Sequence, residues 1–169
     1  MRAAAVATLL GAGCLAAAGC ATSGVEGGVF RSAKGYRVSV PGDGWEVAAP
    51  GEADLELRRT DPRAGMLVHA TCTGNPPRRP LPLLARHATF GLSERVTVES
   101  AERPVRGHPG LRTVVQGRVG GDPVTVEAVT VKGPACVYDF LYVAPPPHFE
   151  EGRPDFHRFV ESFTVEPPR

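Results

Sequence analysis

His69 and Cys72 stand three apart in the run "MLVHATCT", Met66 to Thr73. A thiol site or a metal pair needs both side chains at one point. The run alternates like a strand, in which successive side chains point to opposite faces. His69 and Cys72 therefore diverge, and neither thiol catalysis nor joint metal ligation is expected of them. His87 falls on the apolar stripe of a helical pattern and reads as a hydrogen-bonded core histidine. His108 sits in the turn "RGHPG", and His148 and His157 flank the last connection. No pair has the spacing by which a helix offers two imidazoles to zinc, so no metal or other cofactor is expected.

Asp139 is the more informative residue. It interrupts "ACVYDFLYVA", Ala135 to Ala144, and a carboxylate in such a run is costly unless it is paired. A salt bridge to one of the many arginines is the simplest expectation, and a binding role is the alternative. Arg78 and Arg79, with Arg86 further on, form a basic group that reads as a solvated face or as a patch for anionic lipid or an acidic partner. Phe149, in the proline-rich "APPPHFEEG", reads as an exposed aromatic on a stiff edge. No Gly-x-Ser-x-Gly elbow, phosphate loop or dinucleotide fingerprint occurs. No nucleophile, base and orienting group assemble from the spacing. The expectation is a binding domain, not an enzyme.

The elements that position these residues follow from periodicity. "GYRVSV", Gly35 to Val40, alternates as a half-buried strand, and "PGDGW" ends it in a turn. Trp45 reads as a core plug. Asp54 to Thr60 and Met66 to Thr73 are two more strands. "GNPPRRPLP" is a rigid loop, since proline fixes φ and lacks a donor. From Pro82 to Glu94 the spacing becomes helical. Alternation returns through Val96 and Val98, then Leu111, Thr113 and Val115, then Val124, Val126 and Ala128, with Gly120-Gly121-Asp122 as a tight turn. The Ala135 to Ala144 run is apolar on both faces except at Asp139, as in a strand covered on both sides. Phe156, Phe159, Val160 and Phe163 then recur on one helical face, with Asp155 in place to cap its start. Strands, a helix, a strand meander and a second helix argue an α+β class, with helices packed on an antiparallel sheet.

The amino terminus carries an address. Arg2 is the only charge before Glu26, and an Ala-rich apolar run separates them. That is the layout of a secretory signal peptide. Ala17-Ala18-Gly19-Cys20 resembles the lipobox of bacterial lipoproteins, in which the chain is cut before a cysteine that then carries lipid. Ala17 stands where leucine is usual, and Cys14 is a rival acceptor, but a cut there leaves a very short apolar run. The expected organisation is a signal peptide over 1–19, a flexible tether over 20–33 and a folded domain over 34–167. Lipid on Cys20 would anchor the chain to a membrane without spanning it. In a cell with two membranes, Ala21, with no Asp after the cysteine, favours the outer membrane, facing the periplasm.

Without the first 19 residues, 150 remain, enough for one domain with a real core. The whole chain carries 19 Lys and Arg against 18 Asp and Glu. A near-neutral balance makes no electrostatic case for nucleic acid. Cys72 and Cys136 are the two cysteines left in the exported part. They read as a disulfide or, alternatively, as two separate buried thiols.

"KGYRVSVPGDGW", the two-faced "VYDFLYVA" strand and the closing "FHRFVESFTVE" helix together resemble the Mog1 and PsbP superfamily, which includes bacterial PsbP-like and DcrB-like lipoproteins. The resemblance runs from about Phe30 to Pro167. It implies an α/β/α sandwich with a central antiparallel sheet. Its named members act mainly through binding, and the matched positions are structural, so it assigns no functional residue. The functional expectation is a lipid-anchored envelope protein whose domain binds an envelope protein partner. The alternative is a carrier of a small apolar ligand held between sheet and helix.

Overall fold

A computed structural model describes residues 23–42 and 44–166. The strands are β1 (Gly24–Glu26), β2 (Val29–Ser32), β3 (Tyr36–Ser39), β4 (Glu46–Val47), β5 (Leu55–Thr60) and β6 (Arg63–Cys72). Helix α1 (Leu81–Ala88) precedes β7 (Ser93–Glu102), β8 (Gly110–Val119), β9 (Asp122–Lys132) and β10 (Cys136–Ala144). A 3-10 turn (Pro146–His148), α2 (Phe149–Glu161) and β11 (Thr164–Val165) complete the chain. Seven strands form one antiparallel sheet in the order β4-β5-β6-β10-β9-β8-β7. Four form a second, in the order β1-β2-β3-β11. The class is α+β, as expected, and the helices pack on opposite faces of the larger sheet. The smaller sheet was not foreseen as a separate unit.

The double-sided run sits where its composition demands, with β10 between β6 and β9. Its alternate residues Tyr138, Phe140, Tyr142 and Ala144 are buried beneath α2. Phe140 meets Phe159 edge to face at 5.8 Å between ring centroids, and Tyr142 stacks on Phe156 at 5.8 Å. The other set, Val137, Asp139, Leu141 and Val143, faces α1. Cys72 and Cys136 are direct cross-strand partners and form a disulfide. The bridge spans a sequence separation of 64, and closing a loop of that order stabilises by about 2–4 kcal/mol.

Three expectations need correction. The tether expected over 20–33 instead carries a hairpin, in which β1 and β2 pair and Phe30 is buried. Val29 and Phe30 supply apolar contacts that a glycine-rich composition conceals. The second helix begins at Phe149, not at a cap on Asp155, and Pro154 lies inside it. Proline normally ends a helical reading because it removes a donor, so the part of the helix before Asp155 is hidden in the sequence. Phe149 is consequently buried rather than exposed, its ring 5.4 Å from that of Tyr142. Gly152 makes this docking possible. A Cβ there would come within 2.6 Å of the Tyr142 hydroxyl oxygen, which instead donates to the Phe149 carbonyl at 3.0 Å.

Candidate functional site

Helix α1 is short, with eight residues, and it covers only part of its face of the sheet. Ala85 is buried, Leu81, Leu84 and Ala88 are half-buried, and the contacts run mainly to β8 and β9. Its carboxyl end is held by a cation: Arg95 Nη1 donates to the Thr89 carbonyl at 3.1 Å and to that of Arg86 at 3.4 Å. A positive group suits the unpaired carbonyls of a helix terminus. The chain after the helix presses on β8 at Gly117, where a Cβ would lie 2.9 Å from the Ser93 carbonyl oxygen.

Beside this end the sheet stays uncovered, and a cleft of ≈ 570 Å³ opens. Leu67, Leu141 and Val143 form its floor, and Ala88, Thr89, Gly91 and Leu92 wall one side. Glu56 and Arg58 on β5 stand at the other side. The lining is overwhelmingly apolar. Volumes of about 300–1,000 Å³ with apolar walls and a few polar groups are typical of small-molecule sites.

One step along the same face lies a polar row. Thr130, Asp139 and His69 are successive register partners on β9, β10 and β6. Thr130 Oγ1 donates to Asp139 Oδ1 at 2.6 Å. His69 Nδ1 is buried without a hydrogen-bond partner, 4.0 Å from Asp54 Oδ1. Burial pushes the Asp139 carboxyl above its ordinary range, and the Thr130 hydrogen bond and the charges of His69 and His87 oppose that shift. Leu141 and Leu67, two residues along from Asp139 and His69, carry the surface directly into the cleft. The arrangement suits non-covalent binding of an apolar body.

No family model matches the sequence, and no curated protein matches it. Solved structures do. The solution structure of cyanobacterial PsbP from Synechocystis sp. PCC 6803 superposes with a TM-score of 0.56 at 17% identity, over 78% of this chain and 87% of that one. The fold is PsbP-like. LpqN of Mycobacterium tuberculosis, described as involved in cell envelope biogenesis, gives 0.59 at 14% identity, over 78% and 84%. A Pseudomonas aeruginosa protein of unknown function gives 0.53 at 15%, over 78% and 92%.

Within this PsbP-like frame the residues singled out by sequence separate. Asp139 lies near the cleft, but its partner is the Thr130 hydroxyl and not an arginine. Arg78 and Arg79 are exposed in the loop before α1, where Lys132 Nζ donates to the Arg79 carbonyl at 3.1 Å. Phe149 is on the opposite face, as the buried first residue of α2. His87 is exposed on α1, not in the core, because the stripe that packs inward is Leu81, Leu84, Ala85 and Ala88. Cys20 and the proposed signal peptide lie outside the described residues. Among the described residues, no three His, Cys, Asp or Glu side chains are placed to hold a metal.

Asp139 gives a pH test. A carboxyl raised in the folded state binds its proton more tightly than the unfolded chain does, so stability falls as pH rises through the window above the unfolded Asp value. Asp139→Asn keeps an acceptor for Thr130 and removes the charge. We expect it to unfold at higher urea than wild type at neutral pH, with the difference vanishing in acid. A variant less stable at neutral pH would show that the charge is needed by the fold.

Proposed function

We propose that the protein is a lipid-anchored, non-catalytic accessory of the cell envelope that binds a small apolar ligand in the cleft beside α1. The cleft carries the reading: ≈ 570 Å³ of space floored by Leu67, Leu141 and Val143 on a face that α1 leaves open. Such apolar surface gains from burial at roughly 25 cal/mol per Å². Lipidation at Cys20 would hold the domain at a membrane, a source of apolar molecules.

This ligand role ranks ahead of docking to a protein partner. The best edge for a partner strand is β7, all ten residues of which are exposed. Register shifts interrupt its pairing with β8, and Glu94, Arg95, Glu99 and Glu102 lie along it. Bulges and charges are the usual means of keeping an edge unpaired.

The direct test uses N-phenyl-1-naphthylamine, which fluoresces when it leaves water. Wild type should enhance its emission saturably. Leu141→Glu sets a charge in the floor, and Ala88→Trp fills the space by volume. Each should weaken binding about tenfold or more, equivalent to about 1.4 kcal/mol, with folding intact by circular dichroism. Unchanged binding in both variants would remove the cleft from the argument.

A further inference from the structure

Helix α1 turns Leu81, Leu84, Ala85 and Ala88 inward, but its outward side is not polar. Leu83 remains 43% exposed and Phe90 78%. Arg86 and His87 are exposed between them. Phe90 follows in the turn that closes the helix, its N–H donating to the His87 carbonyl at 3.1 Å. It stands between Thr89 and Gly91, both of which line the cleft. An exposed phenylalanine between two residues of an apolar cleft wall is a large unburied surface, and the charged residues of the loop and helix before it are arginines. Between Asp61 and Glu94 the chain contains no acidic residue, while Arg78, Arg79 and Arg86 fall within that segment.

We propose that the outward side of α1, with Phe90 at its tip, docks on an anionic lipid surface. Apolar residues that enter the headgroup boundary, flanked by arginines that meet lipid phosphates, are the chemistry of an interfacial helix. A second copy of this chain is a poorer occupant. A twofold contact through α1 would bring Arg86 and its neighbours against themselves, and like charges at close range repel. Docking of this side also turns the cleft mouth toward the lipid. The inference is independent of whether the cleft holds a ligand, because it rests on the outer side of α1 and not on the cleft floor.

The test is made on the full chain in vesicles. Phe90→Trp adds a fluorophore, while the native Trp45 is buried beneath the Arg59 guanidinium and supplies a constant background. Vesicles of phosphatidylglycerol with brominated acyl chains should quench the added emission, and brominated phosphatidylcholine vesicles should leave it. Adding Arg86→Glu should weaken the response to phosphatidylglycerol about tenfold without moving the melting temperature. The Phe90→Asp chain, followed by its own vesicle partition, should match that loss. Emission unquenched in both vesicle types would overturn the inference. Equal quenching in both, insensitive to Arg86→Glu, would overturn the anionic assignment. Crosslinking of two copies through α1 without vesicles would give this side to self-association and end the proposal.

Discussion

Glu127→Ala is expected to be the most damaging polar substitution in the domain, at about 3–5 kcal/mol. Glu127 is fully buried on β9, on the α2 side of the larger sheet. Its Oε1 accepts from Arg112 Nε at 2.6 Å and lies 2.9 Å from His157 Nε2. Its Oε2 accepts from Arg153 Nε at 2.9 Å. Arg112 comes from β8, and Arg153 and His157 from α2, so a single carboxylate ties the helix to the sheet. Removal of the carboxylate leaves Arg112 buried with its main counter-charge gone. Glu99, which Arg112 Nη1 also meets at 2.6 Å, is on the exposed edge strand and is no substitute. Urea unfolding measures the loss directly, and a change below about 1 kcal/mol, the usual range of an exposed pair, would sink the claim.

The same group sets an acid limit. Burial alone would push the Glu127 carboxyl up, but the hydrogen bonds from Arg112 and then His157 outweigh it, and the carboxyl is held below its ordinary range. A depressed folded value stabilises fully above the unfolded Glu value and ceases to do so as pH falls through the folded one. Glu127→Gln should therefore flatten the acid limb of stability against pH while lowering the neutral plateau.

Much of this architecture was legible because periodicity reports burial. The "VYDFLYVA" run has apolar residues at both parities, and β10 is covered by α2 on one face and faces α1 and the cleft on the other. Helix α2 declared its aromatic face, and Cys72 with Cys136 offered a bridge or two separate thiols, which the β6–β10 register decides for the bridge. What escaped was polar. In "PVTVEAVTV", Val124, Val126 and Ala128 form one face, and nothing in that alternation tells Glu127 from a residue that faces solvent. Its true side is under a helix whose Arg153 and His157 are distant in sequence, and alternation carries no information about what covers a face. Asp139 was conspicuous for the opposite reason, since its neighbours are apolar at both parities. Its partner was missed because Thr130 becomes adjacent only through the β9–β10 register. The cleft was invisible too, because it arises from where α1 stops short across the sheet.

Phe163→Ala is expected to cost about 3–5 kcal/mol, the usual loss for a buried phenylalanine, with its ring pairs adding to the upper end. The side chain is fully buried between α2 and β11. Its ring lies 4.7 Å from Tyr138 and 5.4 Å from Phe140 on the larger sheet, and 6.0 Å from Tyr36 on the smaller one. The residue thus joins the two sheets, and its loss opens a cavity that neither can close alone. Phe159→Ala, which removes the edge contact to Phe140, should be comparably destabilising. Domains of this kind are stable by about 5–15 kcal/mol, so the double variant should be largely unfolded at ambient temperature. Arg158→Ala is the control. That side chain is 69% exposed and pairs with Asp155, which also accepts from Trp45 Nε1 at 3.0 Å, and exposed changes of this kind stay within about 0.5 kcal/mol. Thermal unfolding followed by near-ultraviolet dichroism should rank the three single variants in that order. A Phe163→Ala protein as stable as Arg158→Ala would mean that the direct Tyr36–Tyr138 ring contact, 5.3 Å between centroids, suffices to join the two sheets.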